Sequence, residues 1–220
     1  MKPILLMSFV VALPVFAGTS AKQVIAPPSN PCLMSWFAGA SVGYLTELEE
    51  PMYNLHVGVT NSCWMLGGWN VSAFAEVGYT QKDYRDVSVD QTGGEFPTTS
   101  IEVTNTDVTI MPLTGNVKFE RVLTGNLSAY FGAGVGMAWI DVDQDSTTTV
   151  GTQTPTTDSQ SDSDWVLTTQ IFAGLSYSVA PTCEIYGGAR WIYLSDASLF
   201  EQNIELEDDF LLELGARYKF

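Results

Sequence analysis

The stretch Phe210-Leu211-Leu212-Glu213-Leu214-Gly215-Ala216-Arg217-Tyr218-Lys219-Phe220 decides the fold, because its side chains change character from one residue to the next. Every second residue from Phe210 onward is uncharged and mostly bulky, whereas the residues between them are largely charged or glycine. A β-strand places alternate side chains on opposite faces. The stretch therefore predicts a strand with one apolar face and one face whose charges need partners.

The same alternation recurs in seven segments upstream. They begin near Trp36, Tyr53, Trp69, Met111, Leu127, Trp165 and Ile185. Short turns alternate with longer polar connections, of which three are predicted as long loops at residues 83–107, 141–164 and 195–209. Eight strands with short turns at one end and long loops at the other predict an all-β, eight-stranded antiparallel up-and-down transmembrane β-barrel, a meander.

The N-terminal segment predicts export from the cytoplasm. A basic start at Met1-Lys2 precedes an apolar run over residues 4–16, and Ala17 supplies a small residue for cleavage. Residues 1–17 therefore predict a Sec signal peptide, because the apolar run is too short to span a bilayer as a helix. Residues 18–35 contain three prolines and predict an extended periplasmic lead-in, and residues 36–220 predict the barrel.

The composition agrees with strands that face lipid. Charged residues make up 15% of the chain and hydrophobic residues 45%, and the formal net charge is −16. The charged fraction is well below the roughly 25% of soluble domains, as expected if a broad outer surface contacts lipid. The acidic balance excludes nucleic acid as a partner, because its phosphates require a basic surface.

The two faces of the predicted strands differ in a way that indicates which one is outside. A soluble eight-stranded barrel would have an exterior rich in Lys and Glu, but the less apolar face here is rich in glycine. The lumen of an eight-stranded barrel is narrow, so small residues fit inside it. The apolar face is therefore predicted to be outside, with aromatic girdles at Trp36, Trp69, Trp139, Trp165, Tyr193 and Tyr218.

Eight charged residues fall on the predicted inner face. They are Glu76, Lys118, Glu120, Glu184, Arg190, Glu213, Arg217 and Lys219. Because an unpaired buried charge is costly, we expect them to form an ion network that fills the lumen. If Tyr193 lies opposite Phe210 in the last hairpin, Arg190 lies opposite Glu213. A gate built from the same charges is the alternative interpretation.

The three cysteines are predicted at the periplasmic end of the barrel, in an oxidising compartment. Cys32 precedes the first strand and Cys63 follows the second, so these neighbours are the predicted disulfide and Cys183 is left over. Their spacing does not predict a metal site. The acidic run from Asp141 does not predict a calcium loop either, because it lacks the turn glycine and the closing glutamate.

The signal peptide, the eight alternating strands, the loop asymmetry and the terminal Phe220 resemble the small bacterial outer-membrane barrels of the OmpA, OmpX and opacity-protein type. The resemblance implies an outer-membrane location with both mature termini in the periplasm. It also implies that Tyr218 and Phe220 are the assembly signal, read by the barrel-assembly machinery. The implied partners are outer-membrane lipid, lipopolysaccharide and an extracellular ligand bound through the loops.

The function that this resemblance implies is non-enzymatic. The chain is expected to support the envelope and to present acidic surface loops for adhesion or surface interaction, without a cofactor. The alternatives are a lipid A- or phospholipid-modifying enzyme and a small, narrow channel. His56, the single histidine, faces the predicted lumen and is followed by Val57 and Gly58, so the His-x-Ser spacing of lipid A acylhydrolases is absent.

Overall fold

A computed structural model describes residues 34–92, 98–151, 154–199, 202–204 and 208–220. The predicted signal peptide, residues 1–17, lies outside the described residues, and so does the lead-in apart from its last two residues. The first strand begins at Met34, two residues before the predicted start at Trp36. Among the described residues, no helix is long and apolar enough to cross a membrane.

The described residues form ten β-strands. They are β1 Met34–Leu45, β2 Pro51–Leu66, β3 Trp69–Thr92, β4 Thr98–Thr124, β5 Leu127–Val150, β6 Thr156–Ala180, β7 Cys183–Leu194, β8 Ala197–Leu199, β9 Gln202–Ile204 and β10 Asp209–Lys219.

Eight of these strands close into a barrel. Strands β1 to β7 pair antiparallel in sequence order, and β10 pairs with both β7 and β1. The closing seam runs from Phe37 opposite Lys219 to Leu45 opposite Leu211, so the terminal strand completes the ring. Strands β8 and β9 form a separate small hairpin between β7 and β10. The predicted eight-stranded up-and-down barrel is confirmed.

Tight turns connect the strands at one end of the barrel, the end at which β1 starts and β10 finishes. Gly68 and Gly125 have φ angles of 86° and 51°, which glycine adopts without the steric cost of a Cβ atom. The chain was predicted to turn over residues 61–68, but β2 continues to Leu66 and pairs with β3 past a bulge between Thr60 and Met65. The turn itself is therefore shorter than predicted.

The predicted long loops at residues 83–107 and 141–164 are wrong. Strands β3 and β4 stay paired out to Thr92 opposite Thr98, and β5 and β6 stay paired out to Thr148 opposite Thr156. These residues are rich in Thr and include several Val, and both residue types favour strands. Both of their faces are largely solvated, so the apolar alternation that marks a half-buried strand is weak.

Strands β3 to β6 thus extend well past the barrel as one four-stranded sheet. We call it the protruding sheet, and it comprises residues 81–92 of β3, 98–109 of β4, 141–150 of β5 and 156–164 of β6. Twelve residues at about 3.3 Å each make it roughly 40 Å long. The third predicted loop, residues 195–209, contains the β8–β9 hairpin.

The outer face of the barrel is apolar, as predicted. On β5 the outward Phe131 and Val135 are 46% and 57% exposed. Tyr130 and Ala138, whose side chains lie on the opposite face of the same strand, are buried. We call the outward aliphatic and aromatic side chains of the barrel the apolar belt: Val42, Leu55, Val57, Val77, Leu113, Val117, Phe131, Val135, Met137, Leu167, Ile171, Leu175, Ile185, Leu212 and Leu214. The inward side chains form the core.

Candidate functional site

The eight charges predicted for the lumen form two clusters there, each centred on an arginine. In the first cluster Arg190 Nη2 lies 2.9 Å from Glu213 Oε2, and the same guanidinium pairs with Glu76 through both nitrogens. Gln170 accepts a hydrogen bond from Arg190 at 3.0 Å and donates one to Asn116 at 2.6 Å. Arg190, Glu76 and Glu213 are all buried, so this cluster holds one cation and two carboxylates inside the barrel.

The second cluster lies toward the end of the barrel that holds the chain terminus. Arg217 pairs with Glu184 and lies 3.3 Å from Glu120. Lys118 also pairs with Glu120, and Lys219 Nζ lies 2.8 Å from Glu184. The two clusters together contain four carboxylates and four cations, which we call the lumen network.

The predicted register of the last hairpin is wrong by two residues. Phe210 lies opposite Trp191, not opposite Tyr193. Arg190 and Glu213 are therefore not directly opposite each other on the two strands. Their side chains still meet, because diagonal neighbours two residues apart are within reach of long side chains.

Six aromatic rings occupy the lumen together with these ion pairs. They are Phe37, His56, Phe74, Tyr130, Phe172 and Tyr186, and ring centroids of neighbours are 5.6–6.4 Å apart. The Arg217 guanidinium lies 4.9 Å from the centroid of Phe37, and that of Arg190 lies 5.4 Å from the centroid of Phe172. A cavity of about 30 Å³ remains between rings and charges, which is room for water.

The inward glycines make space for these rings. Gly174 lies directly opposite Gly188, and both face Tyr130. A Cβ atom added at Gly174 would lie 2.5 Å from the Tyr130 hydroxyl oxygen, and one added at Gly188 would lie 2.7 Å from it. The glycine-rich face therefore has a specific cause in the packing of the lumen.

An apolar plug fills the opposite end of the lumen, beside the protruding sheet, and the sequence did not predict it. Its buried members are Leu45, Met52, Ile110, Ala138, Ile140, Val142, Val166, Ile192, Leu194, Ala197 and Leu211, with Leu48 and Val108 packed against them. The signal in the sequence was the run of aliphatic residues at inward positions near the strand ends. The lumen is therefore filled by intermixed ion pairs and rings over one part of its length and by aliphatic side chains at the end beside the protruding sheet.

Asp209 fixes the β1–β2 turn above the apolar plug. One carboxylate oxygen accepts hydrogen bonds from the backbone nitrogens of Thr46 and Glu47, at 2.9 and 3.0 Å, and the other accepts one from Leu48 at 3.0 Å. Asp209 is buried, and this carboxylate satisfies three turn donors at once. The sequence pattern placed Asp209 in a loop and gave no indication of this role.

The protruding sheet is strongly acidic. Its four segments contain eleven acidic residues and two basic ones, Lys82 and Arg85. Strand β3 pairs with β2 only as far as Tyr79, so within the described residues the 81–92 segment is an edge strand. Residues 156–161 of β6 form the opposite edge. A sheet with two exposed edges of this length has backbone donors and acceptors available for a partner.

A row of aspartates crosses the outer face of the protruding sheet. Asp83 lies opposite Asp107, which lies opposite Asp143. Partial desolvation raises the pKa of the Asp107 carboxyl, and a hydrogen bond shared with Asp83 and the charges of Asp83, Asp143 and Asp145 raise it further. Among the described residues, no group of three or more His, Cys, Asp or Glu side chains is arranged to hold a metal ion.

The remaining predicted site residues are placed as follows. Cys63 is disulfide-bonded and Cys183 is a free thiol, while Cys32, the predicted partner of Cys63, lies outside the described residues. His56 is buried in the lumen with Nδ1 3.9 Å from Glu76 Oε2. The pairing of Cys63 with Cys32 stays a prediction.

Most of the predicted girdle residues lie on the outer face. Trp36, Trp165 and Tyr218 are more than half exposed, Tyr193 is 39% exposed, and Trp69 and Trp139 are half-buried. In the predicted assembly signal, the rings of Tyr218 and Phe220 are stacked with centroids 6.4 Å apart. That these residues direct assembly stays a prediction.

Outer-membrane proteins are among the solved structures similar to this chain. A major outer membrane protein from Thermus thermophilus has 15% sequence identity and a TM-score of 0.55, over 86% of this chain and all of that one. Neisserial surface protein A has 13% identity and a TM-score of 0.46, and Ail, the attachment invasion locus protein of Yersinia pestis, has 14% and 0.45. Each of these two matches covers 85% of this chain and 97% of the other.

No family model matches the sequence, and no curated protein matches it either. The likeness to solved structures is therefore the one comparison that gave a match, and at 15% identity it shows the fold alone. The closed ring of eight antiparallel strands agrees with it in strand number and order. The chain has the fold of the small eight-stranded outer-membrane β-barrels.

Proposed function

We propose that the chain is an integral outer-membrane protein without enzymatic activity, which supports the envelope and presents the protruding sheet for adhesion or surface interaction. The observation that carries the proposal is the contrast between the apolar belt and the acidic protruding sheet on the same strands. A continuous apolar exterior is stable in lipid and prone to aggregation in water. The protruding sheet has mostly polar and acidic side chains, which are stable in contact with water.

This placement also sets the orientation of the barrel. The protruding sheet would extend from the outer surface, and the tight turns at Gly68 and Gly125 would face the periplasm, together with the chain terminus. Lipid and lipopolysaccharide are the proposed partners of the apolar belt, and the barrel-assembly machinery is the proposed partner during insertion. The proposed disulfide between Cys32 and Cys63 would form in the periplasm.

The filled interior favours a closed barrel rather than a channel. The lumen network and the aromatic rings fill one part of the lumen, the apolar plug fills the other, and the cavity among the charges is only about 30 Å³. Lipid acyl chains lie against the outer face of the barrel, so a catalytic group there would meet them directly. His56 instead points inward among Phe37, Phe74 and Tyr186, which surround it with rings.

Cell fractionation with gel mobility tests the membrane placement. We expect the protein in the outer-membrane fraction, migrating faster before boiling than after it, because a closed barrel resists unfolding by detergent. Recovery of soluble protein from the periplasm would contradict the proposal. Conductance above background in a planar bilayer would replace it with the channel alternative.

Trimming the protruding sheet tests the surface role. Replacing residues 86–104 and 145–159 by short Asn-Gly turns removes the outer part of both hairpins, because Asp86 lies opposite Thr104 and Asp145 lies opposite Ser159, and it leaves the barrel segments unchanged. We expect cells that carry the trimmed protein to keep heat-modifiable mobility but to lose most of their attachment to host cells or to other bacteria. Unchanged attachment would argue that the protein acts only within the envelope.

A further inference from the structure

The concave face of the protruding sheet contains a polar groove of about 440 Å³. This face continues the inner wall of the barrel, and the groove crosses β4, β5 and β6. Its main polar side chains are Glu102, Thr104, Gln144, Ser146, Asp158 and Gln160. The volume lies within the range of roughly 300–1,000 Å³ that is usual for small-ligand sites.

The side chains of the groove are arranged in cross-strand rows. Thr104, Ser146 and Asp158 lie opposite one another, and Gln144 lies opposite Gln160 in the next row. Strand pairing therefore fixes the spacing of these groups at about 5 Å across the groove. A ligand would meet a regular array of hydroxyl, amide and carboxylate groups.

Part of this array is held in place before any ligand binds. Ser146 donates a hydrogen bond of 2.7 Å to Glu102, and Thr104 donates one of 3.5 Å to Ser146. One of the two carboxylates in the groove therefore already accepts a hydrogen bond. The primary amides of Gln144 and Gln160 each present donors and an acceptor.

The chemistry of the groove excludes several classes of ligand. None of the residues that line it is basic, and the surrounding sheet is acidic, so phosphorylated and sulfated ligands are repelled. The described acidic residues are not grouped to hold a metal ion. Apart from Val150 the side chains that line the groove are polar, which disfavours lipids.

An exposed aromatic ring lies on the same face of the protruding sheet as the groove, two strands away from Gln144. Tyr84 is 49% exposed and shares a cross-strand row with Gln144 and Gln160, through Thr106. Lys82 Nζ lies 5.7 Å from the centroid of its ring. A flat ring beside an array of donors and acceptors matches a sugar, which has apolar C–H faces and hydroxyls around its rim.

We propose that this groove binds a short neutral oligosaccharide. Hydroxyls of the sugar exchange hydrogen bonds with Ser146, Asp158 and the two glutamines, and one sugar ring packs on Tyr84. A basic peptide is the competing ligand, but it would be recognised chiefly by carboxylates, and hydroxyls and amides outnumber carboxylates here. The inference rests on the proposed surface role of the protruding sheet and names its ligand class.

The protein reconstituted in nanodiscs is tested on an array of neutral and sulfated oligosaccharides, with an oligolysine peptide alongside. A neutral oligosaccharide that binds is then titrated by calorimetry against wild type, Ser146→Val and Thr147→Val. Ser146 faces the groove, whereas Thr147 is the next residue on the opposite face, where it contacts Thr157 at 3.3 Å. The two variants therefore add the same side chain on opposite faces of one strand.

We expect Ser146→Val to weaken binding about tenfold, as expected for the loss of one or two hydrogen bonds, and Thr147→Val to change it less than about twofold. Tyr84→Ala should weaken it to a similar degree as Ser146→Val. Wild-type hydrogen exchange at the backbone amides of the protruding sheet shows that each variant keeps the sheet folded, since heat-modifiable mobility reports only the barrel. Affinity should change little with salt, because the ligand carries no charge.

Binding of only sulfated glycans or oligolysine, no binding of a neutral oligosaccharide, or equal effects of the two valine variants would each overturn the inference. A failure of the oligosaccharide proposal can be distinguished from a failure of the proposed surface role. If trimming the sheet abolishes attachment while the array shows no neutral ligand, the surface role stands and the oligosaccharide does not. If neutral sugars bind but trimming leaves attachment unchanged, the groove stands and adhesion does not.

Discussion

The protruding sheet continues four of the eight barrel strands but follows the opposite rule for its side chains. Along β5, the barrel part places Phe131 and Val135 outward, whereas ten residues further on Asp141 and Asp145 occupy the equivalent positions. Backbone pairing continues without a break from one part to the other. Strand pairing alone therefore does not determine where the membrane part ends; the side chains do.

The two regions also treat charge differently. The lumen network balances four carboxylates with four cations, all of them largely buried except Lys219, whereas the protruding sheet has eleven acidic residues and two basic ones. A buried charge is strongly destabilising unless it is paired, but a solvated charge is screened by water and salt. The distribution of charge thus follows the distribution of water. Substitutions of charged residues should therefore lower the free energy of unfolding more in the lumen than in the protruding sheet.

The largest difference is expected at a buried arginine. Arg190→Met leaves Glu76 and Glu213 buried without their cation, and breaking a buried pair costs about 3–5 kcal/mol of unfolding free energy. Arg85→Met, at an exposed position of the protruding sheet, is the matched control and should change the free energy by less than about 0.5 kcal/mol. Urea unfolding in phospholipid vesicles, followed by tryptophan fluorescence, measures both. Equal effects would remove the distinction between the two regions.

A charge placed on the outer face sharpens the comparison further. Val135 in the apolar belt and Val87 in the protruding sheet are 57% and 52% exposed, so exposure alone predicts equal tolerance. If the apolar belt faces lipid, Val135→Arg should cost about 2–4 kcal/mol, as an arginine near the bilayer midplane does. Val87→Arg should cost almost nothing in the same vesicles. A small and equal cost at both positions would contradict the membrane placement of the apolar belt.

The sequence predicted the parts of the fold in which one face of a strand is apolar. Strand number, closure and the outward direction of Phe131 and Val135 followed from alternation, because lipid and lumen impose opposite demands on neighbouring residues. Pairing of the charges in the lumen was also expected, since buried charges need partners. Which carboxylate meets which cation depended on the register, and the prediction for the last hairpin was wrong by two residues.

The sequence did not predict the protruding sheet, the apolar plug or the role of Asp209, and each has a physical reason. The described parts of residues 83–107 and 141–164 have largely solvated faces, so their strands show little hydrophobic alternation and resemble loops in composition. The apolar plug uses inward aliphatic residues such as Ile110 and Ile140, which a rule of small and polar lumen residues does not anticipate. Asp209 acts through backbone nitrogens of a turn that lies 161 to 163 residues away in sequence, which no local pattern reveals.

That turn provides a test at the boundary between the two regions. Asp209→Ala removes the acceptor of the Thr46, Glu47 and Leu48 backbone nitrogens and should cost about 1–3 kcal/mol locally, because buried donors are left unpaired. Faster hydrogen exchange at these three amides is the measurement. Asp208→Ala changes the exposed neighbour and should leave them protected. Unchanged exchange in Asp209→Ala would show that the turn is held by other contacts, such as that of Lys82 Nζ with the Leu48 carbonyl at 2.7 Å.

The smallest effect is expected in the aspartate row of the protruding sheet, where the pKa of Asp107 is raised by partial desolvation and by Asp83, Asp143 and Asp145. A carboxyl with a raised pKa in the folded state binds its proton more tightly there than in the unfolded chain. Its ionisation at neutral pH therefore destabilises the sheet, and this cost disappears as the pH falls through the raised pKa. Directly opposed like charges cost about 0.2–1 kcal/mol per pair.

Asp107→Asn should accordingly stabilise the β3–β4 and β4–β5 pairing at neutral pH and reduce its gain in stability on acidification. Hydrogen exchange of the amides near Asp83, Asp107 and Asp143, compared between about pH 7 and about pH 4 after correction for the intrinsic exchange rate, measures both effects. Asp86→Asn, on the opposite face of β3 and across from Thr104, is the control and should keep the wild-type pH dependence. If both variants behave alike, the net charge of the protruding sheet sets its stability, and the position of the aspartates within the row does not.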